Sequence, residues 1–288
     1  MLERKRMTQA TRMTQRAERR REKSGGEPAA PGPVLELRSV SVRYLTSSGL
    51  NTAVTEVTAT VQPGEFVSVV GPSGCGKSTL LHVAAGLIRP SAGQVTYLGQ
   101  EWTGLHPDVG YVTQKDTLLP WRTVADNIAL PLQLKGMRKA ERRAIAADMA
   151  ASLGLEDYLK HFPNQLSGGM RQRVQLGRTL VIRPTLLLMD EPFGALDAYL
   201  RLRMQELLLS ILRQHPVSTV FVTHDLGEAI TLSDRVLALS GSPGQLVLDC
   251  AIQTSAERGD PMAVRSTPEF SDYQSRLWDA ISAPGGQK

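Results

Sequence analysis

The stretch "EFVSVVGPSGCGKSTLLHVAAGL", residues 65–87, decides the fold. An apolar strand, a glycine-rich loop and a helical segment follow one another, and the loop fits the pattern G-x-x-x-x-G-K-[ST]. Such a loop curls so that its N–H groups and the helix N-terminus face phosphate oxygens. We expect Lys77 to bridge the β- and γ-phosphates, Ser78 to bind Mg²⁺ and Thr79 to reach the α-phosphate. The predicted nucleotide contacts are Gly71, Pro72, Ser73, Gly74, Cys75, Gly76, Lys77, Ser78 and Thr79.

Short apolar strands alternate with helical segments on either side of this loop. The runs "TLLLMD", "STVFVTH" and "RVLALSG" indicate a largely parallel sheet covered by helices on both faces. Before the loop, "VLELRSVSVRY" and "NTAVTEVTATV" alternate like an antiparallel β element, and residues 123–155 have helical spacing. The predicted fold class is therefore α/β: a P-loop NTPase (RecA-like) core with an N-terminal antiparallel β element and an α-helical subdomain insert.

The predicted organisation has three parts. A basic tail spans 1–33, an ATPase domain spans 34–258 with its helical insert at about 115–173, and a C-terminal extension spans 259–288. The tail holds nine basic and four acidic residues, which leaves 24 of each for the rest of the 288-residue chain. A neutral body argues against nucleic acid as a partner. The tail composition favours disorder, with a basic arm on anionic lipid as the alternative.

Hydropathy and cysteine content bound the compartment. The apolar runs fall well short of the ~18 residues that cross a bilayer, so another chain must span any membrane at which this protein works. Two cysteines give no disulfide framework, and no apolar segment typical of a secretion signal follows the basic N-terminus. We therefore expect a reducing cytosol.

Three further strand ends carry candidate catalytic groups. Asp190 and Glu191 follow an apolar strand, and we expect Asp190 to hold Mg²⁺ and Glu191 to act as general base on a water. His224 ends the strand "STVFVTH" and is a candidate γ-phosphate contact, with a structural histidine as the alternative. Gln114 ends "VGYVTQ" and is a candidate to ligate Mg²⁺ or orient the water, provided that its strand neighbours the others. The carboxyl ends of parallel strands share one edge of a sheet, which is where ligands bind.

A second glycine turn, "QLSGGMRQR" at residues 165–173, resembles the signature of the ATP-binding cassette (ABC) ATPases. The phosphate loop, Gln114, "LLLMDEP", "GALD" and His224 stand in the order of that family's motifs, and the resemblance covers roughly residues 34–248. It implies ATP and Mg²⁺ as ligands, ATP hydrolysis as the reaction, and stacking of Tyr44 on the adenine.

The resemblance also explains why one chain has two phosphate-type turns. In this family two ATPase subunits face each other head to tail, and each signature closes on the ATP held by the other subunit. It thus implies a dimer, most simply a homodimer, in which residues of one chain act in trans: Ser167, Gly168 and Gly169 at the γ-phosphate, and Asp197 relaying the state of one site to the other.

Branch-level features point to transport. The chain has one cassette, no long coiled coil and no membrane helix, and "TLLPWRTVADNIALPLQLKG" and "LSGSPGQLVLD" resemble the importer branch for nitrate, sulfonates and taurine. The resemblance implies a membrane permease pair, an extracytoplasmic substrate-binding protein and a place on the cytoplasmic face of the inner membrane. Trp121 and Leu118 are candidate contacts for a permease helix, or else fill the core of the insert. An ATPase subunit of a lipid or lipoprotein exporter and an ATP-driven clamp on nucleic acid are the alternatives.

Three positions depart from the family's usual pattern or lead to a chemical expectation. Gly177 and Thr179 stand where relatives usually carry alanine, so the helix after the signature is either looser or packed closely against a neighbour. Cys75 lies within the phosphate loop, and we expect it to make the loop sensitive to thiol oxidation.

Overall fold

The computed structural model describes residues 32–46, 49–102, 104–256 and 259–282, so the predicted basic tail lies almost entirely outside the described residues. The first sheet has four antiparallel strands in the order β2-β1-β4-β5. They are β1 (Leu35–Thr46), β2 (Gly49–Val61), β4 (Ala92–Tyr97) and β5 (Gln100–Glu101). The alternating sequence of β1 and β2 places one apolar face of this sheet in the core, as the antiparallel prediction requires.

The second sheet carries the glycine loop. Its six strands run in the order β10-β9-β3-β8-β7-β6, and only the β9–β10 pair is antiparallel. They are β3 (Phe66–Val70), β6 (Val109–Val112), β7 (Leu186–Asp190), β8 (Ser218–Val222), β9 (Arg235–Ser240) and β10 (Gln245–Ala251). Every residue of β3 and β8 is buried, as expected for parallel strands covered on both faces. The ends of β3, β6, β7 and β8 therefore lie side by side.

Nine α-helices pack around the two sheets in the described part of the chain. They are α1 (Lys77–Ala84), α2 (Val124–Ile128), α3 (Leu130–Leu134), α4 (Lys139–Ser152), α5 (Gly168–Leu180), α6 (Ala198–Gln214), α7 (Leu226–Leu232), α8 (Pro261–Arg265) and α9 (Pro268–Ser282). None of these described helices is long and apolar enough to cross a membrane. Helix α5 continues to Leu180, so the insert boundary drawn near residue 173 falls inside it.

The helical insert shares an apolar core with the second sheet. Leu153 and Ile128 are fully buried in this core, together with apolar residues of α4, α5, α6 and strands β3, β7 and β8. Gly177 explains why α5 fits so closely: a Cβ at this position would lie 2.5 Å from Leu153 Cδ1 and 3.4 Å from Met149 Cγ. Of the two alternatives for this glycine, close packing is therefore the one observed.

The C-terminal extension contains structure that the sequence interpretation did not resolve. Val264 of α8 is buried, and Leu277 of α9 is buried in a third apolar cluster with residues of α7, β9 and β10. The extension thus covers one face of the second sheet.

Candidate functional site

Three glycines of the loop between β3 and α1, Gly71, Gly74 and Gly76, have positive φ. Gly76 has φ of 92°, and a Cβ there would collide with Val54 Cγ1 and approach Ala53 O to 2.8 Å. Only glycine fits both demands. Lys77, which is 6% exposed, donates from Nζ to Gly71 O at 2.8 Å and to Pro72 O at 3.0 Å. The loop therefore holds a buried cation at its centre, where a polyphosphate would need one.

The turn between β9 and β10 packs against the glycine loop and is hydrogen-bonded to β2. Gly244 donates its N–H to Ala53 O at 2.9 Å and accepts from the Thr55 N–H at 2.9 Å. A Cβ at Gly244 would collide with Cys75 O. Cys75 itself is 1% exposed, and burial raises the pKa of its thiol. Both observations argue against the expected sensitivity to oxidation, because the thiolate is the reactive form.

Ser78 and Asp190 meet at the predicted magnesium position. Ser78 Oγ donates to Asp190 Oδ1 at 3.0 Å, which joins the first turn of α1 to the end of β7. The pKa of Asp190 is raised above its ordinary value, because the effect of burial exceeds the opposing effect of the hydrogen bond from Ser78. No group of three or more His, Cys, Asp and Glu side chains in the described residues could hold a metal by itself. One hydroxyl and one carboxylate beside a phosphate-binding loop are nonetheless the donor set that Mg²⁺ uses with a nucleotide.

Glu191 is contacted by the two other predicted catalytic side chains, His224 and Gln114. His224 Nδ1 lies 3.1 Å from Glu191 Oε2, and Gln114 Nε2 donates to the same oxygen at 3.3 Å. The pairing of β6, β7 and β8 produces this convergence, so the condition set for Gln114 is met. Glu191 also has φ of 43°, a left-handed conformation that is uncommon for glutamate and recurs at functional sites.

Tyr44 lies beside the first turn of the helix that follows the phosphate loop. The strand β1 brings its hydroxyl to 3.5 Å from Thr79 Oγ1, and its ring is partly buried against the core. The side chain therefore borders the phosphate-binding helix α1.

The signature turn, Ser167 to Gly169, forms the start of α5. Ser167 is the N-cap of α5 and accepts from Met170 N at 3.3 Å. A Cβ added at Gly168 would lie 3.9 Å from Arg171 Nη2. Apart from its chain neighbours and the backbone of α5, no other described atom would lie closer. Gly168 is thus exposed at the start of α5, whereas Gly169 is buried.

Asp197 lies next to the signature. It is the N-cap of α6 and accepts from Leu200 N at 3.0 Å. A Cβ at Gly169 would lie 3.7 Å from Leu200 Cδ2, so the two helix starts are neighbours. The residues predicted to act in trans therefore form one surface: the signature turn and the Asp197 turn.

Sequence reasoning missed the residue that fixes the Gln114 loop. Gln175 on α5 is 2% exposed, and its Nε2 donates to Thr113 O at 2.9 Å, Thr113 Oγ1 at 3.0 Å and Lys115 O at 3.4 Å. Gln114 lies between these two anchored residues. A polar side chain on the apolar side of an amphipathic helix is the signal that could have identified it.

The two candidate permease contacts have different environments. Trp121 is 71% exposed, whereas Leu118 is 9% exposed and belongs to the apolar core that the insert shares with the second sheet. For Leu118, the alternative of a place in the core is therefore the one observed.

Comparison with known proteins gives a consistent result. Residues 54–194 match the family model described as ABC transporter. The taurine import ATP-binding protein TauB of Yersinia pestis is 46% identical over 221 residues, which are 76% of this chain and 87% of that protein. TauB of Rhizobium johnstonii is 44% identical, covering 74% and 82%, and a putative ATP-binding protein of Brucella abortus is 39% identical, covering 86% and 94%.

A solved structure agrees with the fold. The dimeric, post-hydrolysis structure of the ATP-binding cassette MJ0796, bound to ADP and Pi, has a TM-score of 0.68 and 32% sequence identity, and the match covers 76% of this chain and 99% of that one. These similarities confirm the predicted fold class and the resemblance on which the trans arrangement was based.

Proposed function

Because this chain belongs to the ABC transporter family of ATP-binding proteins, we propose that it is the ATP-hydrolysing subunit of an importer for taurine or a related sulfonate. The observation that carries the proposal is Glu191, placed at the end of β7 beside the phosphate loop and contacted by both Gln114 and His224. This is the arrangement that a general base for water attack on a bound γ-phosphate requires.

In this mechanism each side chain has one task. Lys77 and the loop N–H groups hold the phosphates, and Ser78 and Asp190 would hold Mg²⁺, which neutralises phosphate charge when bound. Glu191 accepts a proton from water while the water oxygen attacks the γ-phosphorus and ADP leaves. Gln114 and His224 keep the Glu191 carboxylate oriented toward that water.

The second half of the site comes from a partner subunit. Ser167 and the glycines after it present a hydroxyl and free N–H groups at the start of α5, which is an anion-binding helix terminus. We assign these groups to the γ-phosphate bound by the other copy. Two composite sites then close when ATP joins the two subunits and open after hydrolysis.

Transport assigns the remaining partners. The proposed assembly contains two copies of this chain, a permease pair, and an extracytoplasmic binding protein that selects the substrate, with the ATPases on the cytoplasmic face of the inner membrane. The exposed indole of Trp121 is the proposed permease contact. The TauB relatives favour a sulfonate over nitrate and do not favour the exporter alternative.

Growth on a defined sulfur source tests the substrate. A strain lacking this chain is expected to fail on taurine as sole sulfur source and to grow normally on sulfate. Expression of the wild type should restore growth on taurine, and expression of Glu191→Gln at the same level should not. Undiminished growth of the deletion strain on taurine, in a background with no second taurine importer, would contradict the proposed substrate.

A further inference from the structure

The buried carboxyl group of Glu228 has no role in the proposed mechanism. Glu228 on α7 is 4% exposed, and burial raises the pKa of its carboxyl. Thr223 Oγ1 donates to its Oε2 at 2.6 Å, Gln205 Nε2 donates to its Oε1 at 3.2 Å, and Arg201 Nε lies 3.7 Å from Oε1. Buried carboxylates are retained only with such partners, since desolvation costs several kcal/mol. We call Arg201, Gln205, Thr223, Asp225 and Glu228 the Glu228 cluster.

One end of the cluster fixes the backbone around His224. Thr223 and Asp225 are the residues on either side of it. The Asp225 N–H donates to Thr223 Oγ1 at 3.0 Å, and the Glu228 N–H donates to Asp225 Oδ1 at 3.1 Å. The backbone on both sides of His224 is thus held by hydrogen bonds of the Thr223 and Asp225 side chains.

The other end fixes the Asp197 turn. Arg201 Nη2 donates to Leu196 O at 3.0 Å, directly before Asp197, and the Arg201 N–H donates to Asp197 O at 2.9 Å. The same guanidinium donates from Nη1 to Asp225 Oδ2 at 3.4 Å. A single side chain therefore holds both the turn and the segment that carries His224.

We infer that the Glu228 cluster couples the Asp197 turn of each subunit to His224 in the same chain. The inference rests on the proposed function for the statement that a partner subunit contacts this turn. When the turn moves, Arg201 must either break its bond to Leu196 O or move with it, and in moving it changes its contacts with Asp225 and Glu228. Arg201 and Glu228 are positioning residues in this account, since neither contacts the nucleotide site.

Amide hydrogen exchange in the absence of nucleotide tests the coupling, because a change beside His224 can be followed at the Asp197 turn. Thr223→Val keeps the shape of the side chain and removes the hydroxyl that donates to Glu228. We expect exchange at the Leu200 and Arg201 amides, which bond to the Asp197 turn, to accelerate about fivefold or more, a typical coupling between linked sites. Thr231→Val is the control, because Thr231 is equally buried and its hydroxyl donates within α7, to Gly227 O at 2.6 Å.

Equal exchange at these two amides in both variants would overturn the coupling. Hydrogen exchange uses no ATP, so it tests the coupling even if the wild-type protein does not hydrolyse ATP. Absence of ATP hydrolysis would contradict only the proposed function.

A double-mutant cycle tests the same coupling by ATPase kinetics. Arg201→Met should lower kcat about tenfold with KM for ATP within about twofold of wild type, and should have little further effect in an Asp197→Ala background. Additive effects would contradict the inference; Arg203→Met, which removes an exposed pair with Glu206 on the same helix, is the control.

Discussion

Replacing Gln175 by methionine should disturb catalysis without touching the nucleotide. The change keeps the volume of the side chain but removes the amide that binds Thr113 and Lys115 on either side of Gln114. Two of its three hydrogen bonds, at 2.9 and 3.0 Å, are of good length, and each contributes about 0.5–1.5 kcal/mol net. We therefore expect the free energy of unfolding to fall by about 2 kcal/mol. Gln114 should also lose its fixed distance to Glu191.

The assay combines urea denaturation with steady-state ATPase kinetics. Gln175→Met should lower kcat about tenfold while KM for ATP changes less than about twofold, because phosphate loop and adenine contacts are intact. Gln214→Met, at the exposed end of α6, controls for the chemical change and should match the wild type. The reasoning is refuted if Gln175→Met keeps the wild-type kcat, or if KM rises while kcat is unchanged.

Three further predictions concern the site and its surroundings. Glu191→Gln should bind ATP with wild-type affinity in equilibrium dialysis yet hydrolyse it about 10²- to 10⁴-fold more slowly; near-normal turnover would exclude Glu191 as the base. Trp121→Ala should keep basal ATPase activity and lose taurine uptake in reconstituted vesicles, whereas equal loss of both would indicate a folding role. Because burial raises the pKa of Cys75, a smaller fraction of its thiol is ionised at a given pH than for an exposed cysteine. Alkylation of Cys75, followed by mass spectrometry, should therefore be slow near pH 8 and accelerate only at higher pH. Rapid labelling of the folded protein at pH 8 would contradict this prediction.

The glycine loop and the strand ends could be predicted from sequence because each depends on local pattern. Positive φ at Gly76, the apolar run before Asp190 and the helix cap at Ser167 are all encoded within a few residues. Parallel pairing then brings Gln114 and His224 to Glu191, since the carboxyl ends of neighbouring strands coincide.

What the sequence did not reveal depends on distant pairs. Gln175 lies about sixty residues from the carbonyls that it binds, and Glu228 meets Arg201 from a different helix. Trp121 and Leu118 are three residues apart in one apolar segment, and only the turn between them decides which is buried. The C-terminal helices were not predicted, and the burial of α9 depends on residues of α7, β9 and β10 that are distant in sequence.

The central claim, that each ATP site is shared between two subunits, can be tested by mixing two inactive variants. Lys77→Ala removes the phosphate-loop cation but keeps the signature turn, and Ser167→Arg blocks the signature turn but keeps the loop. A mixed dimer has one intact composite site, formed by the loop of the Ser167→Arg chain and the signature of the Lys77→Ala chain. Single-turnover hydrolysis of labelled ATP should be restored in the mixture and absent in either variant alone. A mixture that stays as inactive as its components would contradict the shared site.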